Sequence, residues 1–259
     1  MTKELKVSQS SFSMFERCSM QYKWQFIDEI PLEEGGDNIY AIFGSTFHKC
    51  MELHERFNVA KENIVAGWNV LFLFFFSEAK KLLKKDYDLK DRFLAQGYIY
   101  LDHAFEMIER WKQFKIISSE KYVKLPFDNK FLKAFLSGKI DLILKDDEEV
   151  YVCLDWKTSK SKEEDIDAND QLTFYIYFIH ILFPLIKLEN IHGCLAYPHD
   201  KKIIFTQRTE KDFEQLFVRV TKMIERISIC DFKKEPKLNF RQDDCFFCPY
   251  KKRCQTHDN

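Results

Sequence analysis

Hydrophobic positions along the chain recur with two different periods. In some stretches apolar residues return every third or fourth position, which predicts helices, and in others they alternate with polar residues, which predicts strands. The helical stretches cover about residues 10–28, 39–57, 61–85, 91–115, 168–187 and 210–229. The alternating stretches cover about residues 118–126, 131–145, 149–157, 192–197 and 202–208. A helical block is thus followed by the order β-β-β-α-β-β and a further helix, which predicts a mixed α/β fold.

The composition is that of a folded chain with a sizeable core. Of the 259 residues 46% are hydrophobic, and only 7 Gly and 6 Pro are present, which argues against disorder. The formal net charge is −1, so any site for nucleic acid has to be a local patch. The basic residues of the C-terminal tail could form one, although acidic residues lie among them.

The apolar runs are too short to cross a membrane. Residues 70–76 and 172–186 are the most apolar windows, and both fall short of the ~20 residues that a bilayer requires. The N-terminal stretch MTKELKVSQSS lacks the apolar segment of a secretory signal. We therefore expect a cytoplasmic protein without membrane contacts, whose eight cysteines include metal ligands rather than disulfides.

The stretch VYVCLDWKTSK, residues 150–160, combines a buried strand with two charges. Asp155 and Lys157 lie two residues apart, so a strand points both to one face. Asp141 occupies an apolar strand in SGKIDLIL, and two antiparallel neighbours could place it beside Asp155. Two close carboxylates favour a divalent cation such as Mg²⁺ or Mn²⁺. The spacing alone favours an ordinary Asp–Lys ion pair at a strand end, because D-x-K is common by chance.

Two further motifs accompany these charges. His48 follows a glycine on a helix in GSTFHKC, and DQLTFYIY places Gln171 and Tyr175 four residues apart on one helix face. In this order the motifs resemble those of the RecB-type branch of the PD-(D/E)XK nuclease superfamily. That branch has a helical His, a G-x-x-D strand, a (D/E)-x-K strand and a Q-x-x-x-Y helix. The matching positions are His48, Gly138 with Asp141, Asp155-Trp156-Lys157, and Gln171 with Tyr175.

This resemblance implies a restriction-endonuclease-like fold, with a mixed β-sheet core flanked by helices. It implies one nuclease domain over residues 1–259. Its predicted parts are an N-terminal helix with Cys18 (8–30), a helical elaboration (39–117), the α/β catalytic core (118–229) and a Cys-rich metal-cluster tail (230–259).

Four cysteines form a second candidate site. CFFCPYKKRC supplies Cys245, Cys248 and Cys254, and Cys18 stands near the N-terminus. The triplet alone leaves zinc and an iron–sulfur cluster equally open. The arrangement resembles the iron–sulfur nucleases of the superfamily, namely the CRISPR-adaptation nucleases, the AddB nuclease domain and exonuclease V. That resemblance implies a structural 4Fe–4S cluster that ties the two chain ends together.

The resemblance also implies roles for the other motif residues. His48, Asp141, Asp155 and the Trp156 carbonyl would hold Mg²⁺ or Mn²⁺. Lys157 would orient or deprotonate a water molecule, and Gln171 and Tyr175 would hold Lys157 or the DNA strand. Glu120 corresponds to a glutamate that the family often has near the metal, although it could equally be a solvated strand residue.

The implied function is a metal-dependent deoxyribonuclease, an exonuclease acting on single-stranded DNA ends. The alternative is a nucleic-acid-binding subunit of a larger repair, recombination or CRISPR-adaptation complex with secondary cleavage activity. The chain contains no Walker A motif and therefore no helicase motor of its own. Compatible partners besides DNA are a helicase, a recombinase, a CRISPR-adaptation protein and a second copy of the chain in a homo-oligomer.

Overall fold

A computed structural model describes residues 4–31, 38–79, 82, 84–161, 166–233 and 248–256. The strands are β1 (Leu5–Ser8), β2 (Lys115–Phe127), β3 (Ala134–Lys145), β4 (Tyr151–Trp156), β5 (Ile191–Tyr197) and β6 (Lys202–Thr206). The α-helices are α1 (Gln9–Arg17), α2 (Ser19–Tyr22), α3 (Ile39–Phe57), α4 (Lys61–Glu78), α5 (Lys84–Glu109), α6 (Asp170–Leu182), α7 (Glu210–Ser228) and α8 (Lys251–Thr256). A π-helical stretch (Lys23–Ile27) follows α2, and short 3₁₀ turns precede α6 (Ile166–Ala168) and β5 (Leu188–Asn190).

The six strands form one mixed sheet. Its order is β1-β3-β4-β5-β6, and β2 also pairs with β3. By their contacts the residues group into two compact units, each assembled from segments far apart in the sequence. The terminal unit contains the described residues of 4–31, 124–137 and 214–256, and the central unit contains those of 38–123 and 138–213.

Strand β4 lies in the middle of the central unit's part of the sheet. It pairs antiparallel with β3, where Leu142 faces Leu154, and parallel with β5, where Leu154 faces Cys194. All six residues of β4 are buried because neighbours cover both edges and α6 packs against it and β5. The apolar side chains of β4 therefore hold its last residues in a fixed position.

An aromatic cluster joins the helices of the central unit. The Trp68 ring of α4 contacts Phe43 of α3 with 5.6 Å between ring centroids, and its Nε1–H donates to the Leu94 carbonyl of α5 at 2.8 Å. A Cβ atom at Gly97 would lie 1.9 Å from the Trp68 ring, so only glycine permits this approach. The packing fixes α3, which carries His48.

The terminal unit joins the start of the chain to its end. Strand β1 runs parallel to the first residues of β3, from Leu5 opposite Ala134 to Ser8 opposite Ser137. The Arg219 Nε–H of α7 donates to Glu16 Oε1 of α1 at 3.0 Å. The Tyr250 hydroxyl donates to the Ile30 carbonyl at 2.9 Å. These contacts place α7 and the segment before α8 against the N-terminal residues.

The mixed α/β architecture predicted from the sequence is confirmed, since a six-stranded mixed sheet is accompanied by helices. Several elements differ from the prediction, among them α6, which ends at Leu182. Strand β1 was not predicted, α4 ends at Glu78, and α5 begins at Lys84. The prediction of a single domain with the boundaries given above stays a prediction. Among the described helices, none combines the length and apolar character that a bilayer crossing requires.

The predicted helix over residues 10–28 is interrupted at Cys18. This residue has extended backbone angles (φ −155°, ψ 102°) and separates α1 from α2. Its Sγ atom accepts a hydrogen bond from the Gln21 backbone N–H at 3.4 Å, as an N-cap side chain does. The side chain that interrupts the helix therefore also begins the next one.

Candidate metal and catalytic site

Three side chains from three elements meet at one cleft of the central unit. His48 of α3, Glu120 of β2 and Asp141 of β3 place their possible ligand atoms within 4.8 Å of one another. His48 Nδ1 lies 3.3 Å from Asp141 Oδ2. One imidazole and two carboxylates form a ligand set that divalent cations accept. Among the described residues, this is the one group of three or more histidine, cysteine, aspartate or glutamate side chains that could hold a metal ion.

The cleft around this group is open enough for a substrate. Its volume is about 660 Å³, and its lining includes Tyr40, Lys49, Phe75 and Lys139. Tyr40 is 65% exposed, so its ring is available to a ligand. The two lysines carry positive charge at the rim, where Lys139 forms an ion pair with Glu120. Aromatic faces and cations together suit a polyanion with unstacked rings.

The backbone at Glu120 is strained. Its φ of 54° lies in the left-handed region, which costs a residue with a Cβ atom roughly 1–2 kcal/mol. Such strain in a regular element persists where neighbouring structure enforces it, and it concentrates at functional sites. The sequence left Glu120 open between a site residue and a solvated one. The structure brings it together with His48 and Asp141.

Substitutions at Glu120 should change the stability of the protein and its metal affinity in different ways. Glu120→Gly is expected to be about 1 kcal/mol more stable than Glu120→Ala, because glycine adopts a φ of 54° without strain. Both variants should lose Mn²⁺ affinity, since each removes one carboxylate. Thermal unfolding and calorimetric titration with Mn²⁺ measure the two effects.

Glu149 provides the matched control. It also has a positive φ, of 65°, but lies between β3 and β4 and is paired with Lys145. Glu149→Gly should gain stability over Glu149→Ala in the same way and keep full Mn²⁺ affinity. Equal stability of Glu120→Gly and Glu120→Ala, or unchanged metal binding in both, would contradict this account of Glu120.

Asp155 and Lys157 stand at the end of β4, next to Asp141. The register of β3 and β4 makes Asp141 and Asp155 neighbours, and the Trp156 backbone N–H donates to Asp141 Oδ2 at 2.9 Å. The Lys157 Nζ atom lies 2.6 Å from Asp155 Oδ2. Although this ion pair is close, Oδ2 accepts no hydrogen bond of normal geometry from the described residues. A buried carboxylate oxygen without a well-aligned hydrogen-bond donor is suited to binding a cation.

Helix α6 completes the network around Lys157. The Gln171 side chain accepts a hydrogen bond from Lys157 Nζ at 2.7 Å and donates one to Asp155 Oδ1 at 2.6 Å. It also lies 2.9 Å from the Tyr175 hydroxyl, which donates to the Lys139 carbonyl at 2.6 Å. Asp155, Lys157, Gln171 and Tyr175 therefore form one connected set, while Asp155 is not among the three groups that lie within 4.8 Å.

Two contacts fix the position of α6. The buried Arg208 guanidinium donates to the carbonyls of Ile166 and Asn169, at 2.9 and 3.1 Å, and to Thr173 Oγ1 at 2.8 Å. At Gly138 a Cβ atom would lie 2.7 Å from the Phe178 ring, so glycine permits α6 to approach β3. The first contact orients the start of the helix, and the second sets its distance from the sheet.

The carboxyl groups of this site are partly or wholly buried, which affects their pKa values. Burial raises the pKa of Asp155 to about 6, the Asp141 charge adds to the shift, and Lys157 opposes it. Burial also raises the pKa of Glu120. Burial alone would lower the pKa of His48, but the carboxylates of Asp141, Asp155 and Glu120 outweigh it and raise that pKa. A divalent cation would offset this charge, so the residues present fit Mg²⁺ or Mn²⁺.

The cysteine site is described only in part. Cys245 lies outside the described residues, and the side chains of Cys18, Cys248 and Cys254 are half-buried in the terminal unit. No group of cysteine ligand atoms within 4.8 Å was found among the residues that the structure covers. The Tyr250 ring, two residues after Cys248, packs on Trp24 with centroids 5.7 Å apart. This contact brings the segment of Cys248 and Cys254 to the helical region that begins at Cys18.

Comparisons with known proteins locate the chain in a family. Residues 6–255 match the family model described as the PD-(D/E)XK nuclease superfamily. Twenty chains of solved structures match the fold, among them the crystal structure of SSO0001. It is 13% identical in sequence, with a TM-score of 0.37, and the alignment covers 83% of this chain and 96% of that chain. A comparison with curated proteins found no match.

Proposed function

Because the chain belongs to the PD-(D/E)XK nuclease superfamily, a family of metal-dependent nucleases, we propose that it hydrolyses phosphodiester bonds in DNA with Mg²⁺ or Mn²⁺. The observation that carries the proposal is the convergence in the central unit of His48, Glu120 and Asp141, next to the network of Asp155 and Lys157. We also propose that the chain belongs to the RecB-type branch, and the support is its Q-x-x-x-Y helix, whose Gln171 contacts both Asp155 and Lys157.

The metal would be held by His48, Glu120, Asp141 and the buried Asp155, with the Trp156 carbonyl as a further ligand. A divalent cation there would acidify water and offset charge on the phosphate. His48 and Glu120 enter from α3 and β2, whereas both aspartates come from adjacent strands of the sheet. Ligands on rigid elements hold such a site in a defined geometry.

Lys157 would act on the attacking water and on the phosphate. Asp155 Oδ2 and Gln171 Oε1 lie 2.6 and 2.7 Å from its Nζ, so the ammonium is held in place. An ammonium fixed beside a metal-binding carboxylate would offset the charge that develops on the phosphate and orient the water. Gln171 and Tyr175 would serve as positioning residues, since Gln171 accepts a hydrogen bond from this lysine and donates one to the Tyr175 hydroxyl.

Single-stranded ends are the DNA form that the cleft favours. Tyr40 is exposed at its wall, beside Phe75 and the lysines at positions 49 and 139. Bases in a duplex are already stacked on each other, whereas an unpaired base gains from stacking on an aromatic ring. An exonuclease that takes a single-stranded end would use both the ring and the lysines.

A cleavage assay with a matched pair of lysine variants tests this function. Labelled single- and double-stranded DNA should be cut with Mn²⁺ and not with a chelator, and faster when single-stranded. Lys157→Met should lower the rate at least about 1,000-fold, because a preorganised charge at the phosphate is lost. Lys160→Met, on the exposed segment after β4, should cleave normally. Metal-independent cleavage, or full activity of Lys157→Met, would refute the proposal.

We further propose that Cys18, Cys245, Cys248 and Cys254 hold a structural 4Fe–4S cluster. The support is the contact of Tyr250 with Trp24 and the Ile30 carbonyl, which brings the segment of Cys248 and Cys254 to the N-terminal segment. A cluster across these segments would close a loop of most of the chain and so couple metal binding to folding.

Cys18→Ala should lose the cluster and most of its soluble yield together. Anaerobically purified wild type should contain iron and acid-labile sulfide, measured by colorimetric assay and metal analysis. Cys230→Ala is the matched control, because Cys230 is exposed and lies in the same unit. Stoichiometric zinc in colourless wild type would reject the iron–sulfur assignment, and full metal content in Cys18→Ala would reject the role of Cys18.

A further inference from the structure

A buried carboxyl group lies two turns beyond His48 on helix α3. Glu55 is only 6% exposed, and it occupies the same face as the buried Phe47 and Met51, one turn apart each. Within the described parts of the chain no ion pair forms with Glu55. Burying a carboxyl group without a paired cation costs free energy. This cost indicates that the two hydrogen bonds of Glu55 serve more than packing.

Each Glu55 oxygen accepts one hydrogen bond from a different strand. The Trp156 indole Nε1–H of β4 donates to Oε1 at 3.1 Å, and the Ser119 hydroxyl of β2 donates to Oε2 at 3.1 Å. Ser119 directly precedes Glu120, and Trp156 stands between Asp155 and Lys157. One carboxyl group therefore connects α3 to the two strands that carry these three site residues.

Trp156 transmits this link further into the site. Its backbone N–H donates to Asp141 Oδ2 at 2.9 Å, and its ring packs on Phe47 with centroids 6.0 Å apart. Phe47 is the residue before His48. A change in the indole position would therefore act on Asp141 through the backbone and on His48 through the neighbouring ring.

We propose that Glu55 is a positioning residue for the metal site, acting through its two accepted hydrogen bonds. It fixes β2 at Ser119 and β4 at Trp156 relative to α3, so that His48, Glu120, Asp141 and Asp155 keep their ligand geometry. The proposal rests on the proposed function of these four residues. Groups that hold metal ligands in place typically change metal affinity or activity about 10–100-fold when removed.

The test compares Glu55→Leu with Glu55→Gln. Leucine removes both hydrogen bonds, and we expect kcat to fall about 10–100-fold and the Mn²⁺ Kd to rise about tenfold, with KM for DNA nearly unchanged. Glutamine keeps an acceptor for the indole and a donor for the Ser119 hydroxyl, so it should restore both values to within about threefold. Trp156→Phe, which removes the indole donor together with part of the ring, should resemble Glu55→Leu.

Two comparisons separate positioning from stability. His103→Leu removes a half-buried side-chain hydrogen bond to the Pro198 carbonyl, in the same unit but on α5, which carries no residue of the site. It should change the melting temperature and leave kcat and Mn²⁺ affinity within about twofold. The double variant Glu55→Leu/Trp156→Phe should lose no more activity than the worse single variant, because both act on one contact.

The outcomes distinguish this proposal from the nuclease assignment. Wild-type kcat and Mn²⁺ affinity in folded Glu55→Leu or Trp156→Phe would overturn the positioning role, as would additive losses in the double variant. Calorimetric Mn²⁺ binding does not require cleavage. A protein that fails to cut DNA yet loses Mn²⁺ affinity in Glu55→Leu would therefore refute the proposed activity and support the role of Glu55.

Discussion

Asp155→Asn should reduce DNA cleavage by at least about 1,000-fold and leave the metal-free protein at pH 8 as stable as the wild type or more so. The loss of activity follows from removing a buried carboxylate that neighbours Asp141 and pairs with Lys157. A 1,000-fold loss corresponds to about 4 kcal/mol of activation free energy. Asn keeps the size of the side chain and an acceptor for Gln171, so the fold is retained.

The gain in stability follows from the raised pKa of Asp155. The gap between its ordinary value of 3.8 and about 6 corresponds to roughly 3 kcal/mol at a pH above both values. The ionised carboxyl destabilises the metal-free protein by this order, and the neutral amide does not. Residues that serve function commonly lower stability in this way.

Initial rates with Mn²⁺ and chemical unfolding at pH 8 measure the two effects. Asp102→Asn is the control, because Asp102 on α5 is exposed and forms an ion pair with Lys61 at 3.4 Å. It should leave both measurements unchanged. If Asp155→Asn keeps more than a tenth of wild-type activity, or unfolds more easily than the wild type at pH 8, the assignment of this residue is wrong.

The second large effect is a loss of stability of the metal-free protein as the pH rises from 4 to 8. Burial raises the pKa of Asp155 to about 6 and that of Glu55 to about 8. The folded state therefore holds these protons more tightly than the unfolded state, and the free energy of unfolding decreases through the window between the ordinary and the raised values. The raised pKa of His48 acts in the same direction, because its stabilising proton is lost as the pH rises. Together these groups correspond to a change of several kcal/mol.

Other carboxyl groups increase the stability of the protein as the pH rises, but they titrate below this pH window. Hydrogen bonds from Lys133 and Lys124 lower the pKa of Glu4 to about 2, and the Ser161 backbone does the same for Asp200. Their contribution is present above the ordinary pKa and is lost as the pH falls towards 2. Stability should therefore be greatest near pH 4–5.

Urea unfolding of chelator-treated protein across this range measures the profile. Asp155→Asn should flatten it between about pH 4 and 6, and Glu55→Gln should flatten it mainly between about pH 5 and 8. Saturating Mn²⁺ should restore more stability at pH 8 than at pH 5, because the ligands bind it when deprotonated. A metal-free protein that becomes more stable from pH 5 to 8 would contradict the charge balance described for the site.

Most of the sheet could be predicted from the sequence because its strands alternate or are wholly apolar. Strand β4, buried along its whole length, was predicted within two residues at each end, and β3 likewise ends at Lys145. Strand β1 was missed because it has only four residues, with Val7 as its one fully buried position. The start of α5 was missed because its first turns are polar and mostly exposed, which leaves no apolar period.

The site could be predicted where a charge interrupts an apolar run. Asp141, Asp155 and Lys157 were found in this way, and the structure places them on neighbouring strands, although their catalytic roles stay predictions. Glu120 gave no such signal, because its position depends on a left-handed backbone that its residue type does not indicate. Glu55 was not predicted, although the sequence carries a signal for it: the spacing of Phe47, Met51 and Glu55 puts a carboxyl on the buried face of α3.

The interleaved segments of the terminal unit have a consequence for synthesis of the chain. Translation delivers the N-terminal segment first, but the contact of α1 with α7 and those of Trp24 and Ile30 with Tyr250 can form only after residues 214–256 leave the ribosome. The central unit, complete at residue 213, can fold before that point. During translation the apolar faces of the N-terminal helices, including Phe12 and Phe15, therefore stay exposed to chaperones until residues 214–256 are made. A chain truncated after residue 213 would therefore contain the whole central unit but lack the C-terminal partners of its N-terminal helices.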